Sequence, residues 1–267
     1  MSVRDAVDRV TRGYDEHDIL TFASAIAFKV LFAVIPLILF GLGLLGGLGL
    51  EEQWTEEWAR TVRESMSPDV FRIVDDTVRR VLSERQTFWM TAGGLIAVWE
   101  ISGAMRGIMD AFDRIYGAHR ERSLAERLRV SLVLGLAVTV LLLIATGCVV
   151  LGDDLLREIG VDHRLVLLVR YPLAAAILFA VVALLLAYAP VDHQPLSRIT
   201  VGSALIVAAW FGTSLALGWY LTSVAEYGSV FGALATVWIV LTYLYFSSTA
   251  FLTGAELDSM MREQTAA

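Results

Sequence analysis

The stretch 228–256, GSVFGALATVWIVLTYLYFSSTAFLTGAE, carries no charge until its last residue. An α-helix rises about 1.5 Å per residue, so roughly 20 apolar residues cross the ~30 Å hydrocarbon layer of a bilayer. These residues are numerous enough to span, and they stop on a carboxylate. The remainder of the chain has the same character. Hydrophobic residues make up 57% of the 267 and charged residues only 18%, and mean hydropathy is +0.64. The apolar runs are longer than the helices of a water-soluble core require. Lipid, rather than water, is the expected solvent for much of this chain.

Six segments qualify as spans: 21–49, which Pro36 breaks; 88–108, which contains Glu100 and Arg106; 130–151; 165–189, ended by Pro190; 199–223; and 228–256. In lipid every backbone amide must be satisfied within its own element, so each span should be helical. The alternating segments of an outer-membrane barrel are absent. The expected fold is all-α: a polytopic bundle of six transmembrane helices, forming one integral membrane domain over 1–267. Residues 1–20 would form a cytoplasmic N-terminal segment and 257–267 a cytoplasmic tail. The lead before the first span mixes Arg4, Arg9 and Arg12 with Asp5, Asp8, Asp15, Glu16 and Asp18. It is too acidic and too long for a signal peptide, so the first span is read as retained.

Arginine placement sets the orientation. With the N-terminus inside, the cytoplasmic segments hold ten arginines and the outer segments eight. Six of those eight fall in one long loop. The loop between spans two and three, with Arg114, Arg120, Arg122, Arg127 and Arg129, is the firmest inside marker. Both termini are therefore expected in the cytoplasm, with the protein in the cytoplasmic membrane. There are twenty arginines to one lysine, and the net charge is −7. That balance points to a GC-rich or salt-adapted source and against nucleic-acid binding, which needs a basic face.

The long outer loop, 51–86, is patterned. Trp54, Trp58 and Val62 recur every four residues. After Ser67-Pro68, the apolar positions Phe71, Val74, Val78 and Val81 recur at three to four. Serine before proline is a helix-start signal. The expectation is an extracytoplasmic amphipathic helical hairpin, with Trp54 and Trp58 at the headgroup boundary. It would either lie on the outer surface or act as a lid or docking surface.

Three blocks resemble the YihY/BrkB family of inner-membrane proteins, once labelled ribonuclease BN. They are ASAIAFKVLFAVIPLILFGLGLLG (23–46), the segment around Trp99 leading to AFDRIYG (111–117), and GSVFGALATVWIVLTYLYFSSTAFLTGAEL (228–257). The last is the most specific, with its paired glycines, tyrosine-rich middle and terminal Gly-Ala-Glu. The resemblance covers most of the chain from Asp18 to Met260. It implies a six-helix bundle with cytoplasmic ends and says little about activity. One departure stands out: Lys29 occupies a position where the family usually has an aromatic residue.

No catalytic constellation is legible. His17, His119, His163 and His193 are scattered singly, and Cys148 is alone. A hydrolytic metal site needs several such ligands at set spacing. HExxH, HxHxDH, GxSxG and phosphate-loop strings are all absent. No enzyme, no metal and no cofactor is expected, and no ATP-binding segment is present. The intramembrane charges are better candidates, because a charge in lipid costs several kcal/mol. Lys29 and Glu100 each lie roughly 12 Å from the inner boundary, counting about 1.5 Å per residue. They either pair across spans one and two, or Lys29 snorkels while Glu100 faces a polar pocket. Arg106, Asp110 and Asp113 fall near one helical face, as a local ladder or as an anionic headgroup contact. Glu256 closes span six, for packing or for ion coupling, with Arg106 or Arg114 as its expected partner.

The small and hydroxyl residues have two readings as well. Gly43 and Gly47, and Gly228 and Gly232, form GxxxG pairs suited to close helix packing. Pro36 removes one backbone hydrogen bond, and a bend beside small residues could serve as a hinge. Thr242, Tyr245 and Thr249 share a face, for interhelical bonds or for a cavity that Glu100 also bounds. The sequence reading is a permease-like protein that moves, or helps to move, a lipid-like or amphipathic anion. The alternative is a non-catalytic scaffold for envelope partners. Membrane lipids, an envelope partner or a second copy are the expected partners. A membrane enzyme with Glu100 or Glu256 as general base is the third reading.

Overall fold

The computed structural model describes residues 13–47, 49, 59, 68–83, 86–118, 120–150, 163–192, 200–223 and 232–266. All regular secondary structure among them is helical. The helices are α1 (Ile19–Gly47), α2 (Pro68–Ser83), α3 (Gln86–Ile115), α4 (Leu124–Val150), α5 (His163–Tyr188), α6 (Thr200–Ser223) and α7 (Gly232–Ala266). Three stretches are long and apolar enough to cross a membrane: Ile19–Gly47, Leu124–Cys148 and Val237–Met261. Shorter apolar stretches occupy Pro172–Tyr188 in α5 and Ile206–Ala216 in α6. Many large apolar side chains face outward along these helices, among them Ile35, Leu95, Leu143, Leu215 and Trp238. A lipid solvent favours that arrangement, whereas water would penalise it.

Local signals account for the helix ends. Ser123 caps α4, its Oγ accepting from the Glu126 N–H at 3.3 Å and its carbonyl from the Arg127 N–H at 2.9 Å. The end of α3 is a Schellman motif. Gly117 takes φ +61°, its N–H donates to the Arg114 carbonyl, and the Ala118 N–H donates to that of Asp113. Glycine has no Cβ penalty there, which explains the last letter of AFDRIYG. Asp18 also takes a positive φ, +52°. It separates the turn closed by His17 N–H on Gly13 O from the start of α1, where Phe22 N–H reaches Asp18 O.

The chain forms two compact units, one of residues 1–28, 102–226 and 241–267, the other of 29–101 and 227–240. In the second unit α2 begins at Pro68, as its sequence signal requires. Its Val78 and Leu82 form a buried cluster with Ala59, against Leu42, Leu45 and Phe71. The apolar stripe of α2 is thus covered by the C-terminal part of α1. The expected first helix of the hairpin, with Trp54 and Trp58, lies outside the described residues.

Two expectations change in this unit. Pro36 does not break α1, which runs unbroken from Ile19 to Gly47. The expected close packing at Gly47 is not seen, since a Cβ there would meet nothing within 4 Å. The tight approach is made by α3 instead. A Cβ at Gly93 would lie 2.9 Å from Phe40 N and 3.0 Å from Pro36 O. Gly47 closes its helix and Gly93 faces one, and only the latter position requires a missing side chain. Gly43 is buried, Gly232 starts α7, and Gly228 lies outside the described residues.

The core of the first unit centres on Phe112, fully buried on α3. Its ring stacks on Phe251 of α7 at 5.4 Å and meets Tyr116 edge-on at 5.8 Å. Met109, Ile115, Ile206, Leu252 and Ala255 are buried as well.

Candidate functional site

The densest polar region of the first unit gathers the ends of several elements. Apolar burial of Phe112, Leu252 and Ala255 draws α3 and α7 together, and the charged residues just beyond that contact are left to satisfy one another. Glu256 is only 3% exposed and Asp258 only 2%. A buried carboxylate without a partner is costly, so each has one. Glu256 Oε2 lies 2.8 Å from His17 Nδ1. Tyr116 OH donates to Asp258 Oδ2 at 2.9 Å. Beside the first pair, Tyr14 OH and Thr253 Oγ1 share a short hydrogen bond. Gly13 packs so closely on Glu256 that a Cβ would overlap Oε1. Ser259 Oγ donates to the Ile115 carbonyl at 3.1 Å.

The arginines of the α3–α4 region serve the same end. Arg114 pairs with Asp18 and lies over the Phe22 ring at 5.2 Å. Arg127 pairs with Asp110, and Arg120 with Glu126. Arg122 donates to the carbonyls of Tyr188, Ala189 and Pro190, closing the C-terminus of α5 with a cation where the helix dipole is negative. Asp113 accepts the Val191 N–H at 2.8 Å. Desolvation raises the Asp113 carboxyl above its ordinary value of 3.8, against the lowering pull of that hydrogen bond and of Arg122. Of the expected face of Arg106, Asp110 and Asp113, both carboxylates bond to neighbouring elements, Asp110 to Arg127 of α4 and Asp113 to the Val191 N–H.

Arg106 itself donates through Nη1 to Ser102 Oγ at 2.7 Å, and Ser102 lies 2.9 Å from Ser131 of α4. Glu256 takes His17 as partner in place of the expected Arg106 or Arg114. Arg114 is engaged by Asp18. The motif residues Phe112, Asp113, Arg114, Tyr116 and Gly117 on one side, and Gly254, Ala255 and Glu256 with the adjoining Asp258 on the other, thus meet around one junction. At Gly254 a Cβ would overlap Ile206 of α6.

Lys29 and Glu100 belong to the second unit and are half-buried. Among the described residues no ion pair joins them. Partial exposure spares each the full desolvation that would force it onto a partner. Thr242, Tyr245 and Thr249 are half-buried, and Thr249 Oγ1 returns to the Tyr245 carbonyl of its own helix at 2.8 Å. The interhelical bonds come from Tyr243, whose OH receives Trp210 Nε1 and meets Ser214 Oγ, each at 3.0 Å. Among the described residues no group of three or more His, Cys, Asp or Glu could hold a metal.

His17 entered the sequence reading only as one of four scattered histidines, and Tyr116 only as a letter of AFDRIYG; Tyr14, Ser102, Ser131 and Asp258 escaped it.

Comparison with known proteins agrees with the membrane character. The chain is 25% identical over 244 residues to UPF0761 membrane protein Smlt0865 of Stenotrophomonas maltophilia, covering 90% of this chain and 56% of that one. A UPF0761 membrane protein of Alkalilimnicola ehrlichii is 23% identical over 252 residues, with 92% and 55% covered. The chain thus spans just over half the length of these relatives. A Bacillus subtilis protein named as ribonuclease-like, YfkH, is 19% identical over 258 residues, with 94% and 93% covered. No solved structure matches. The family profile described as Virulence factor BrkB matches residues 10–267, and the chain is a membrane protein of that family.

Proposed function

We propose that this protein crosses the cytoplasmic membrane six times and moves, or helps to move, a lipid-like or amphipathic anion between its leaflets. The observation that carries the reading is the state of Lys29 and Glu100. They sit within α1 and α3, in one unit, half-buried and not paired with each other. Charges set in spanning helices mark substrate or ion pathways, because their burial is otherwise only a cost. A cation and an anion of this kind suit a zwitterionic or anionic headgroup passing between apolar helices.

Three further features support the topology. The segment 13–18, the end of α3, the start of α4, the end of α5 and the last part of α7 are bonded together in one unit. These ends share one side if α1, α3, α4, α5 and α7 each cross, and α6 supplies the sixth passage. The arginines of the α3–α4 connection make that side the cytoplasmic one. The α2 stripe rests on the far part of α1, consistent with an outer cap.

The test is reconstitution into liposomes that contain a fluorescent phosphatidylglycerol, with quencher added outside. The wild-type protein should accelerate loss of the protected signal. Lys29→Met and Glu100→Gln should each slow it by about tenfold, the effect of losing one charge-assisted contact. An inert wild-type protein that co-purifies with a stable envelope partner would replace transport with scaffolding.

A further inference from the structure

We propose that Arg129 and the exposed stripe of α4 that runs from it form a binding site for an anionic phospholipid. This lipid is distinct from any that is moved: it stays bound at the protein surface, and its binding does not depend on transport.

The site begins with a charge that the fold leaves open. Around the α3–α4 connection, Arg114 pairs with Asp18, Arg120 with Glu126 and Arg127 with Asp110. Arg122 donates to three carbonyls at the end of α5. Arg129 is exposed on α4, and among the described residues no ion pair or hydrogen bond holds its side chain. Glu126, about one turn earlier on the same helix, already accepts from Arg120 at 2.8 Å. The Arg129 guanidinium therefore keeps both its full charge and its planar fork of donors.

An apolar track leads away from this charge. Over Leu124–Cys148, α4 is long and apolar enough to cross a membrane. At roughly 100° per residue, Leu132, Val133, Leu136, Val140, Leu143 and Ile144 all fall within about 60° of Arg129 on the helix surface. These six side chains are between 38% and 59% exposed, whereas Ser131 and Leu134, on the opposite side of the helix, are buried. From Arg129 to Ile144 the track runs about 22 Å, at roughly 1.5 Å per residue. That exceeds the ~15 Å depth of one leaflet, half of the ~30 Å hydrocarbon layer. A phosphate held by the Arg129 fork, two oxygens on two N–H groups, thus has an apolar surface beside it for the length of an acyl chain. A second protein helix fits this face less well. Inside a bilayer an apolar face gains little by exchanging lipid tails for side chains, and the guanidinium would still need an anion. The open charge is a single positive one, so a net anionic headgroup neutralises it and a zwitterionic one does not.

The protein is purified in detergent, stripped of lipid and titrated with dioleoyl-phosphatidylglycerol, with bound lipid counted by native mass spectrometry. The wild type should bind it in preference to dioleoyl-phosphatidylcholine. Arg129→Gln should weaken the tightest bound phosphatidylglycerol by about fivefold, the effect of one arginine at a charged membrane surface. Arg80→Gln, at an exposed arginine of α2, should leave that binding unchanged. Leu136→Ser keeps the charge and interrupts the track, and should weaken binding by about threefold through lost apolar contact. Thermal unfolding of each variant reports its folding, and Leu136→Ser decides the matter if Arg129→Gln does not fold. Binding at wild-type strength in the folded variant, or an equal loss in Arg80→Gln, overturns the site. Phosphatidylcholine bound as tightly as phosphatidylglycerol overturns the anionic assignment. Displacement by equimolar inorganic phosphate shows a free-anion site and overturns the lipid assignment. A dimer mass that disappears in Arg129→Gln gives this face to a second copy and overturns it as well.

Discussion

Gly254 and Glu256 show how one helical turn can serve two neighbours. Gly254 admits Ile206 of α6 against its backbone, while Glu256, two residues on, is buried under His17 and Gly13. The Gly-Ala-Glu ending is therefore a packing signature before it is anything else. Gly254→Ala should lower stability by about 1–3 kcal/mol, the usual cost of overpacking. A drop in the detergent unfolding midpoint measures it, and an unchanged midpoint would show that Ile206 gives way. Asp113, beyond the apolar part of α3, makes a different prediction. Its folded carboxyl titrates above its ordinary value of 3.8 because burial disfavours the charge. The native state then holds the proton to higher pH than the unfolded chain does. Its contribution to stability is fully present below the ordinary value and is lost as pH rises through the raised one. Asp113→Asn keeps an acceptor for the Val191 N–H and has no proton to lose. Stability profiles of the two proteins should diverge across that acidic window, the wild type falling relative to the variant. Parallel profiles would refute the shift.

At the scale of elements, α3 is the shared member. It carries Gly93 against α1 in one unit, and Phe112 against α7 in the other. At Gly93 the atoms a Cβ would meet are backbone, Phe40 N and Pro36 O, which cannot move aside cheaply. At Gly41, inside α1, a Cβ would meet nothing within 4 Å. Gly93→Ala should therefore destabilise by about 1–3 kcal/mol. Gly41→Ala should be neutral or stabilise by up to about 1 kcal/mol through helix propensity. Opposite signs in paired unfolding measurements are the expected outcome. Equal effects would mean that the α1–α3 contact is looser than its geometry. The helices themselves were legible. α2 starts at the Pro68 signal, and α5 stops two residues before Pro190. Pro36 was misleading, because a proline within a long apolar helix loses one hydrogen bond without ending it.

For the whole molecule, sidedness is the property open to direct measurement. In a Cys148→Ser background, which removes the single native cysteine, Glu121→Cys and Asp76→Cys place thiols on exposed positions of the α3–α4 connection and of α2. A membrane-impermeant maleimide applied to intact cells should label Asp76→Cys only. Glu121→Cys should react after the cells are opened. Labelling of both from outside would sink the six-span arrangement and the orientation drawn from the arginines. Those arginines also have a structural use, since Arg114, Arg120, Arg122 and Arg127 all hold local partners.

Run length and charge placement in the sequence were sufficient for the all-helical membrane class, because the thickness of a hydrocarbon layer constrains a helix along one dimension only. The family motifs were visible too, but their purpose was not. His17 and Glu256 stand 239 positions apart, and Tyr116 and Asp258 stand 142 apart. No local pattern encodes such meetings. They depend on how each helix is rotated about its axis and how far it slides along its neighbours, and both are settled only when all the buried faces pack at once. For the same reason the tertiary structure alone could bring Asp110 to Arg127 and Asp113 to the Val191 N–H, and set Lys29 and Glu100 in one unit with no ion pair between them.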